Sequence, residues 1–465
     1  MSTRSSFRAA FVLGLIVVAG LGGVRRTWGE EGTPQKRGGE KGKTPAAAVK
    51  VDPKPLADFT KKGLEYLVSQ QQPGGGWGQG GGWRSGGQNG GRREGNDVSD
   101  PADLGNTCIA ALALIRSGST PQSGPYANQL ARAAEFICGQ IQKSNVEGLY
   151  VTDVRDTQLQ QKIGQYVDTF LAGLVLSELK GHMPNPEAEK QLLTALDKAV
   201  AKIEKNQQDD GTFAGNTGWA SVLSQGLCSK FLNRAAQQEV AIRPEVLERD
   251  YKQSVASLDR KTGDFRPTAT LKPGGERPAD LSSRIVAGTS AAAKVGGGSD
   301  AGVDLYNSAS NAGRIRYFFD TNRQTQQAAL QTLSSKSASA EEKQQAKEDL
   351  SRVNEVQGAQ EAAVLGVVRK LGDKKFIAGF GNNGGEEFLS YMNISEMLVV
   401  QGGNEWEKWD KSVSANLAQV QNGDGSWSGH HCITGRTFCT ATALLTLMAD
   451  RAPGQLAAQL QNQKK

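Results

Sequence analysis

The densest group of reactive side chains in this 465-residue sequence is GHHCITGRTFC near its C-terminus, with His430, His431, Cys432, Arg436 and Cys439. It holds two of the three histidines and two of the five cysteines. Imidazole and thiolate donors at close spacing suit Zn²⁺ or copper. His430, His431 and Cys439, joined by Cys108, are the candidate ligands, although the spacing follows no standard zinc pattern. In an oxidising compartment the same thiols would instead pair as Cys432–Cys439 or Cys108–Cys439. The plainest reading is small buried thiols beside a polar rim. A second set is acidic. Glu386 and Glu387 are adjacent in FGNNGGEEF, behind Asn382 and Asn383, and Asp168 sits in GQYVDT. Paired carboxylates suit general acid–base chemistry, and acids at helix starts serve equally as caps and dipole partners. A third stretch, Gly74 to Gly95, carries Trp77, Trp83, Arg84, Arg92 and Arg93 among its glycines. It lacks the GK[ST] of a phosphate-binding loop. It reads as a loop whose Trp83 and arginines close over a ligand, or as a plain connection ordered at Trp77 alone.

The elements that must position these residues repeat along the chain. Gln71, Gly75 and Trp77 recur at the same offsets as Gln207, Gly211, Phe213 and as Gln421, Gly425, Trp427. Looser copies are Gln142, Gly148, Tyr150 and Asp259, Gly263, Phe265, and a degenerate one surrounds Gly379 and Phe380. A helix with one apolar stripe precedes each turn, as in 129–142 and 187–207. A helix apolar or small on most sides follows it, as in 106–115, 167–176 and 437–448. The first kind packs on one face and the second must be buried all round. The glycine ends the outer helix in the left-handed conformation. The Gln amide is expected to bond the open carbonyls of that helix end, the aromatic to fill the seam, and Asn106 or Asp168 to cap the inner helix. Six such hairpins predict an all-α fold, an (α/α)6 toroid over 56–465. Neither end repeat looks like the polar cap of an open solenoid, so the ring closes. Insertions fall at about 266–302 and 321–352; the second reads as a solvated helical excursion or as disorder. All inner helices start at one end of such a ring. Asp168, Glu386, Glu387, Trp83, Asn106, Thr107, Asn307, Tyr391, Asn393 and Arg436 are therefore expected around one pocket mouth. Trp406 and Trp409 are expected in a seam.

The basic balance is a matter of the ends. The chain has 54 Lys+Arg against 48 Asp+Glu. Residues 1–29 combine four arginines with an apolar run and read as an export signal, cleaved or retained as an anchor. Residues 30–55, rich in Pro, Gly and Lys, read as a disordered linker. The remainder is neutral, which removes the electrostatic footprint of nucleic-acid binding. Membrane contact is expected only through an uncleaved leader, in an exported, periplasmic or secreted protein.

The first repeat, Lys62-Gly63-x2-Tyr66-Leu67-x3-Gln71-x3-Gly75-x-Trp77, resembles the QW motif of squalene and terpene cyclases. Those families share an α/α toroid with the protein prenyltransferase β subunits and the complement thioester domain, and the resemblance spans roughly residues 56–450. It implies an apolar or isoprenoid-like ligand with cyclase or transferase chemistry. The cyclase acid lies in D-x-D-D-T at an inner-helix start. Asp168-Thr169 match the end of that run, while Tyr166 and Val167 replace its earlier positions. Cys439 stands where the prenyltransferase zinc histidine would be, and no D-x-C or G-C-G-E-Q occurs. The alternatives are a non-catalytic protein-interaction module, like the complement branch without its thioester, and an exported glycan lyase or hydrolase. A large apolar cavity would favour the first reading, a filled ring centre the second, and carboxylates in an open polar groove the third.

Overall fold

A computed structural model describes residues 51–84, 91–93, 100–266, 301–373, 376 and 384–452. The leader, most of the linker, residues 267–300 of the first insertion, and Asn382 and Asn383 lie outside the described residues. Thirteen α-helices are described: α1 Asp58–Ser69, α2 Leu104–Arg116, α3 Ala127–Lys143, α4 Gln158–Ile163, α5 Val167–Leu179, α6 Pro186–Asn206, α7 Ser221–Gln237, α8 Pro244–Ala256, α9 Ala301–Ser334, α10 Ala340–Leu371, α11 Gly385–Gln401, α12 Gly403–Gln419 and α13 Arg436–Leu447. A short antiparallel pair, β1 Gly82–Arg84 and β2 Gly91–Arg93, falls inside the glycine-rich stretch.

Helices α2, α5, α7, α9, α11 and α13 each pack on the next, and α13 packs on α2, which closes an inner ring. Helices α1, α3, α6, α8, α10 and α12 form the outer layer. This is the (α/α)6 toroid. Burial follows the patterns in the sequence. Every residue of α5 is buried. The amphipathic α3 buries a single stripe, Leu130, Ala133, Ala134, Ile137, Cys138 and Ile141, at the spacing of one helix face.

The repeated turn fastens each hairpin to the next. The indole Nε1 of Trp77 donates to the Leu67 carbonyl near the end of its own outer helix at 2.7 Å, and Trp427 does the same to Leu417 at 2.8 Å. The Gln amide, expected on that helix end, reaches elsewhere. Gln71 donates to Gly75 and to the Gln129 carbonyl of α3, and Gln207 to the Val246 carbonyl of α8. Gln421 donates to the Phe59 carbonyl of α1 at 2.8 Å, which seals repeat six to repeat one. The glycines share this work. A Cβ at Gly211 would meet the Arg249 carbonyl at 2.5 Å, and one at Gly425 would meet the Lys62 carbonyl at 2.6 Å. Both have φ above +80°, so only glycine suits the turn and the close approach together. Thr107 and Thr440 accept from the backbone N–H of Trp77 and Trp427, both at 2.9 Å.

Three expectations are corrected here. Helix α2 is capped by Asp103, whose carboxylate accepts from the Asn106 N–H; Asn106 lies inside the first turn. Asp168 is likewise inside α5, where it caps nothing. Order begins before residue 56, since the Lys54 N–H bonds Asp450 at 2.7 Å. Residues 321–352 are helical. They extend α9 and open α10, which starts with a Ser339–Glu342 capping box, and the two helices pack along each other.

The tightest inner contact is Gly173 of α5 against the buried Phe231 ring of α7, where a Cβ would overlap the ring. Gly173→Ala is expected to destabilise the fold by about 1–3 kcal/mol through overpacking, despite alanine's better helix propensity. Urea unfolding measures it; an unchanged or raised midpoint would contradict the close fit.

Candidate functional site

Polar side chains collect on the ring axis at two levels. Near the inner-helix C-termini, Glu396 of α11 accepts from Lys230 of α7 at 2.7 Å and lies 3.7 Å from Arg116 of α2 and 4.0 Å from Arg316 of α9. Arg116 also pairs with Glu178 of α5 at 3.3 Å, and Arg316 with Asp320 at 2.9 Å. Five of the six inner helices thus meet across the axis. Burial alone would raise the Glu396 carboxyl, but Lys230, Arg116 and Arg316 outweigh it and hold it at about 2. Burial is the largest influence on Lys230 as well and lowers its ammonium. Beside them lies a cleft of about 30 Å³, lined by three cations (Lys230, Arg234, Arg316) and three anions (Glu178, Asp320, Glu396), a size that suits ordered water.

At the other end, where the inner helices begin, three buried carboxyls are shifted upward. Asp103 is raised to about 6 by burial, against hydrogen bonds from Asn106 and Gly105. Asp168 is raised to about 7 by burial and by Asp103, with the Gln160 amide opposing. A Cβ built on Gly105 would stand 2.6 Å from Asp168 Oδ1 and 3.6 Å from Asp103 Oδ1, so little more than a methyl-sized space separates the two acids. Glu386 is raised to about 7 by burial, against the Ile433 N–H that donates to it at 3.2 Å. Helix N-termini favour carboxylate anions, yet desolvation wins at all three. Described segments lie over part of this level. Helix α4 lies over Asp168 through Gln160, and its Gln158 accepts from the Thr434 N–H at 3.1 Å. Thr434 in turn accepts from the Trp83 N–H at 2.6 Å.

The remaining expected residues divide among these levels and the packing. Thr107 is spent on the Trp77 turn, and Asn307 donates to the Phe265 carbonyl of the fourth turn at 3.3 Å; neither lines a mouth. Asn106 is buried against Asp103. Tyr391 bonds Glu387 and packs edge-on to Trp409, so both belong to the wall between α11 and α12. Trp409 donates to Ser395 in that seam, as expected of it. Asn393 accepts from Tyr317 at 3.3 Å, on the side of the charge network. Arg436 pairs with Asp424 at 2.8 Å. Trp83 is exposed on β1. His430 and His431 face solvent while Cys108 and Cys439 are buried in the ring wall, and all five cysteines are free. Among the described residues no three of His, Cys, Asp or Glu come together as a metal site. The expected ligand quartet is divided by burial.

Asp103 and the network around Glu396 were not anticipated from sequence. Their signal was present: Arg116, Glu178, Lys230, Arg316 and Glu396 are charged residues in helices otherwise small and apolar.

Between the two levels the ring is packed. Leu112, Leu171, Leu227, Ser310, Met392 and Thr442, from the middle of each inner helix, are at most 2% exposed. At these six described positions no open lumen reaches the side chains.

No protein-family model and no curated protein matches the sequence. Among solved structures, the chain is similar to two variants of the type II terpene cyclase MstE from Scytonema, each in complex with geranylgeranyl dihydroxybenzoate. Identities are 13% and 14% and TM-scores 0.42 and 0.41, over 85% of this chain and 96% and 97% of theirs.

Proposed function

We propose that the protein is an exported binding module that takes a protein partner on the face where its inner helices begin, and that it does not fold a hydrocarbon inside the ring. The observation that supports this is the Glu396 network together with the buried middles of the inner helices, which among the described residues leave no open lumen for an isoprenoid chain. The carboxyls that would serve acid–base chemistry, Asp168, Glu386 and Glu387, are buried rather than set in an open groove, which weighs against the cyclase and glycan readings alike. The same face offers anchors. Trp83 is 45% and Trp219 54% exposed. They flank α4, since Thr434 joins Trp83 to Gln158 at one end and the Ala220 N–H donates to the Lys162 carbonyl at 2.8 Å at the other. Val154, 42% exposed, leads into α4 between them. Exposed tryptophans on a rigid frame are effective interface anchors.

Native mass spectrometry of the full-length protein is expected to show no retained lipid. A partner recovered from the protein's own compartment should bind wild type and be lost by Trp83→Ala/Trp219→Ala, with both proteins melting alike. A stoichiometric isoprenoid lipid, or equal capture by the double variant, would overturn the proposal.

A further inference from the structure

Helix α4 is the shortest of the described α-helices, six residues long, and the backbone bends sharply on either side of it. Asp156 ahead of it has φ 61° and Gly164 behind it φ 132°. A side-chain-bearing residue holds a positive φ only where its surroundings impose it, and a Cβ at Gly164 would collide with Ser224 of α7. Between these two bends α4 buries Leu159, Gln160 and Ile163. Polar bonds tie it to its surroundings at few points. Gln158 accepts from the Thr434 N–H, and the Lys162 carbonyl accepts from the Ala220 N–H at 2.8 Å. The Gln160 amide donates to the Val154 carbonyl at 3.0 Å and to Asp168.

Under Gln160 lie Asp168 and Asp103, the buried acids on either side of Gly105. One Asp168 oxygen takes the Gln160 amide. The other, Oδ1, has no partner at hydrogen-bond geometry, only the weak pull of the Gly105 N–H. Among the described residues, the charged and titratable groups that bear on Asp168 are Asp103 and the Cys108 thiol from α2 and Arg155 from the segment ahead of α4. Helix α4 turns only the neutral Gln160 amide to it; Lys162 acts on Glu386 instead. Arg155 is exposed and stacked on the Tyr150 ring at 3.7 Å, where solvent screens its charge. An anion at Asp168 is therefore short of donors, of countercharge and of water. Raising the short helix above it supplies the water.

We propose that α4 is a proton-controlled latch, which lies down over Asp168 while that carboxyl keeps its proton and swings out on the Asp156 and Gly164 hinges when the proton leaves for solvent. The direction follows from linkage. The closed form keeps its proton up to about 7, and an opened, hydrated Asp168 returns towards its ordinary 3.8. Between those values the closed form binds the extra proton, so the open form gains as the pH rises; above about 7 both forms are ionised and the gain stops. The inference goes beyond the binding reading and does not depend on it, since no partner takes part.

Hydrogen exchange of the full-length protein, read on peptides by mass spectrometry from pH 5 to 8.5 with intrinsic exchange rates divided out, measures the opening. The amides of 157–163 are expected to lose protection about tenfold per pH unit from pH 5 to 6.5 and to level off above pH 7.5. Those of α5, Val167–Leu179, should keep theirs. Asp168→Asn should leave α4 equally protected at pH 5 and pH 8. Asp103→Asn retains a capping oxygen for α2 but removes the neighbouring charge, so the levelling should move to lower pH. The wild-type profile decides without any variant. Flat protection of 157–163 in wild type, a surviving slope in Asp168→Asn, levelling unmoved by Asp103→Asn, or a loss of protection shared by α5 would each overturn the proposal.

Discussion

Glu396→Ala is expected to lose about 3–5 kcal/mol of folding free energy, because it leaves buried Lys230, Arg116 and Arg316 without the anion they share. The Lys230–Glu396 pair is 2.7 Å long with both side chains almost fully buried. Its formation already carries a desolvation penalty, and removing one partner abandons the compensation. Lys230→Met/Glu396→Gln should therefore be less damaging than Glu396→Ala alone, a sign reversal that a double-mutant cycle in urea detects. If the single variant unfolds at the wild-type midpoint, the network does not hold the axis shut. The same carboxyl sets an acid limit. Its value falls from 4.5 to about 2 on folding. Its stabilisation is therefore complete above about pH 4.5 and is lost as the pH drops through 2.

Asp168→Asn is expected to act in the opposite direction, stabilising the protein by about 4 kcal/mol at pH 8 and by less than about 2 kcal/mol at pH 5. The folded state keeps Asp168 protonated up to about 7, against 3.8 for the unshifted group. Across that window the native state binds the extra proton, so stability falls as the pH rises and stays low above it. Asparagine removes the ionisation, and its amide retains an acceptor for the Gln160 side chain that now serves Asp168. Asp103 and Glu386 shift the same way, so the wild-type melting temperature should rise on lowering the pH from 7.5 to 5. Equal effects of the substitution at both pH values would show that Asp168 is ionised in the fold.

The ring was legible because its cause is local and periodic. Glycine and an aromatic two residues on mark every hairpin that is clearly copied, and the shift from striped to uniformly small helices separates the outer layer from the inner one. The use of Gln71, Gln207 and Gln421 was misread because their partners, Gln129, Val246 and Phe59, belong to the following repeat, and nothing near the turn names them. Asp103 was passed over for Asn106, although an acid three residues ahead of an asparagine is itself a capping pattern. Charged residues such as Arg116 and Glu396 look like isolated exceptions along the chain; only the closed topology turns them into a single cluster. The filling of the axis was not legible at all. It depends on how side chains from different inner helices divide the space between them, which spacing does not encode. The site expectations failed for a related reason. Polar residues at helix starts were assigned to an open mouth, whereas α4 and the Thr434 segment roof them over.

The Gln421–Phe59 bond and the Gly425–Lys62 contact join residues more than 350 positions apart. An open solenoid grows by adding hairpins to a free end and tolerates losing its last one. Here the first hairpin has only one neighbour until the last has been made, so synthesis from the N-terminus must carry an unsealed edge almost to completion. Loop-closure entropy of that length slows folding and delays the final cooperative gain. Once sealed, the chain has no terminal repeat from which to fray. Loss of structure then requires breaking two seams at once, which favours a long native lifetime over a fast folding rate.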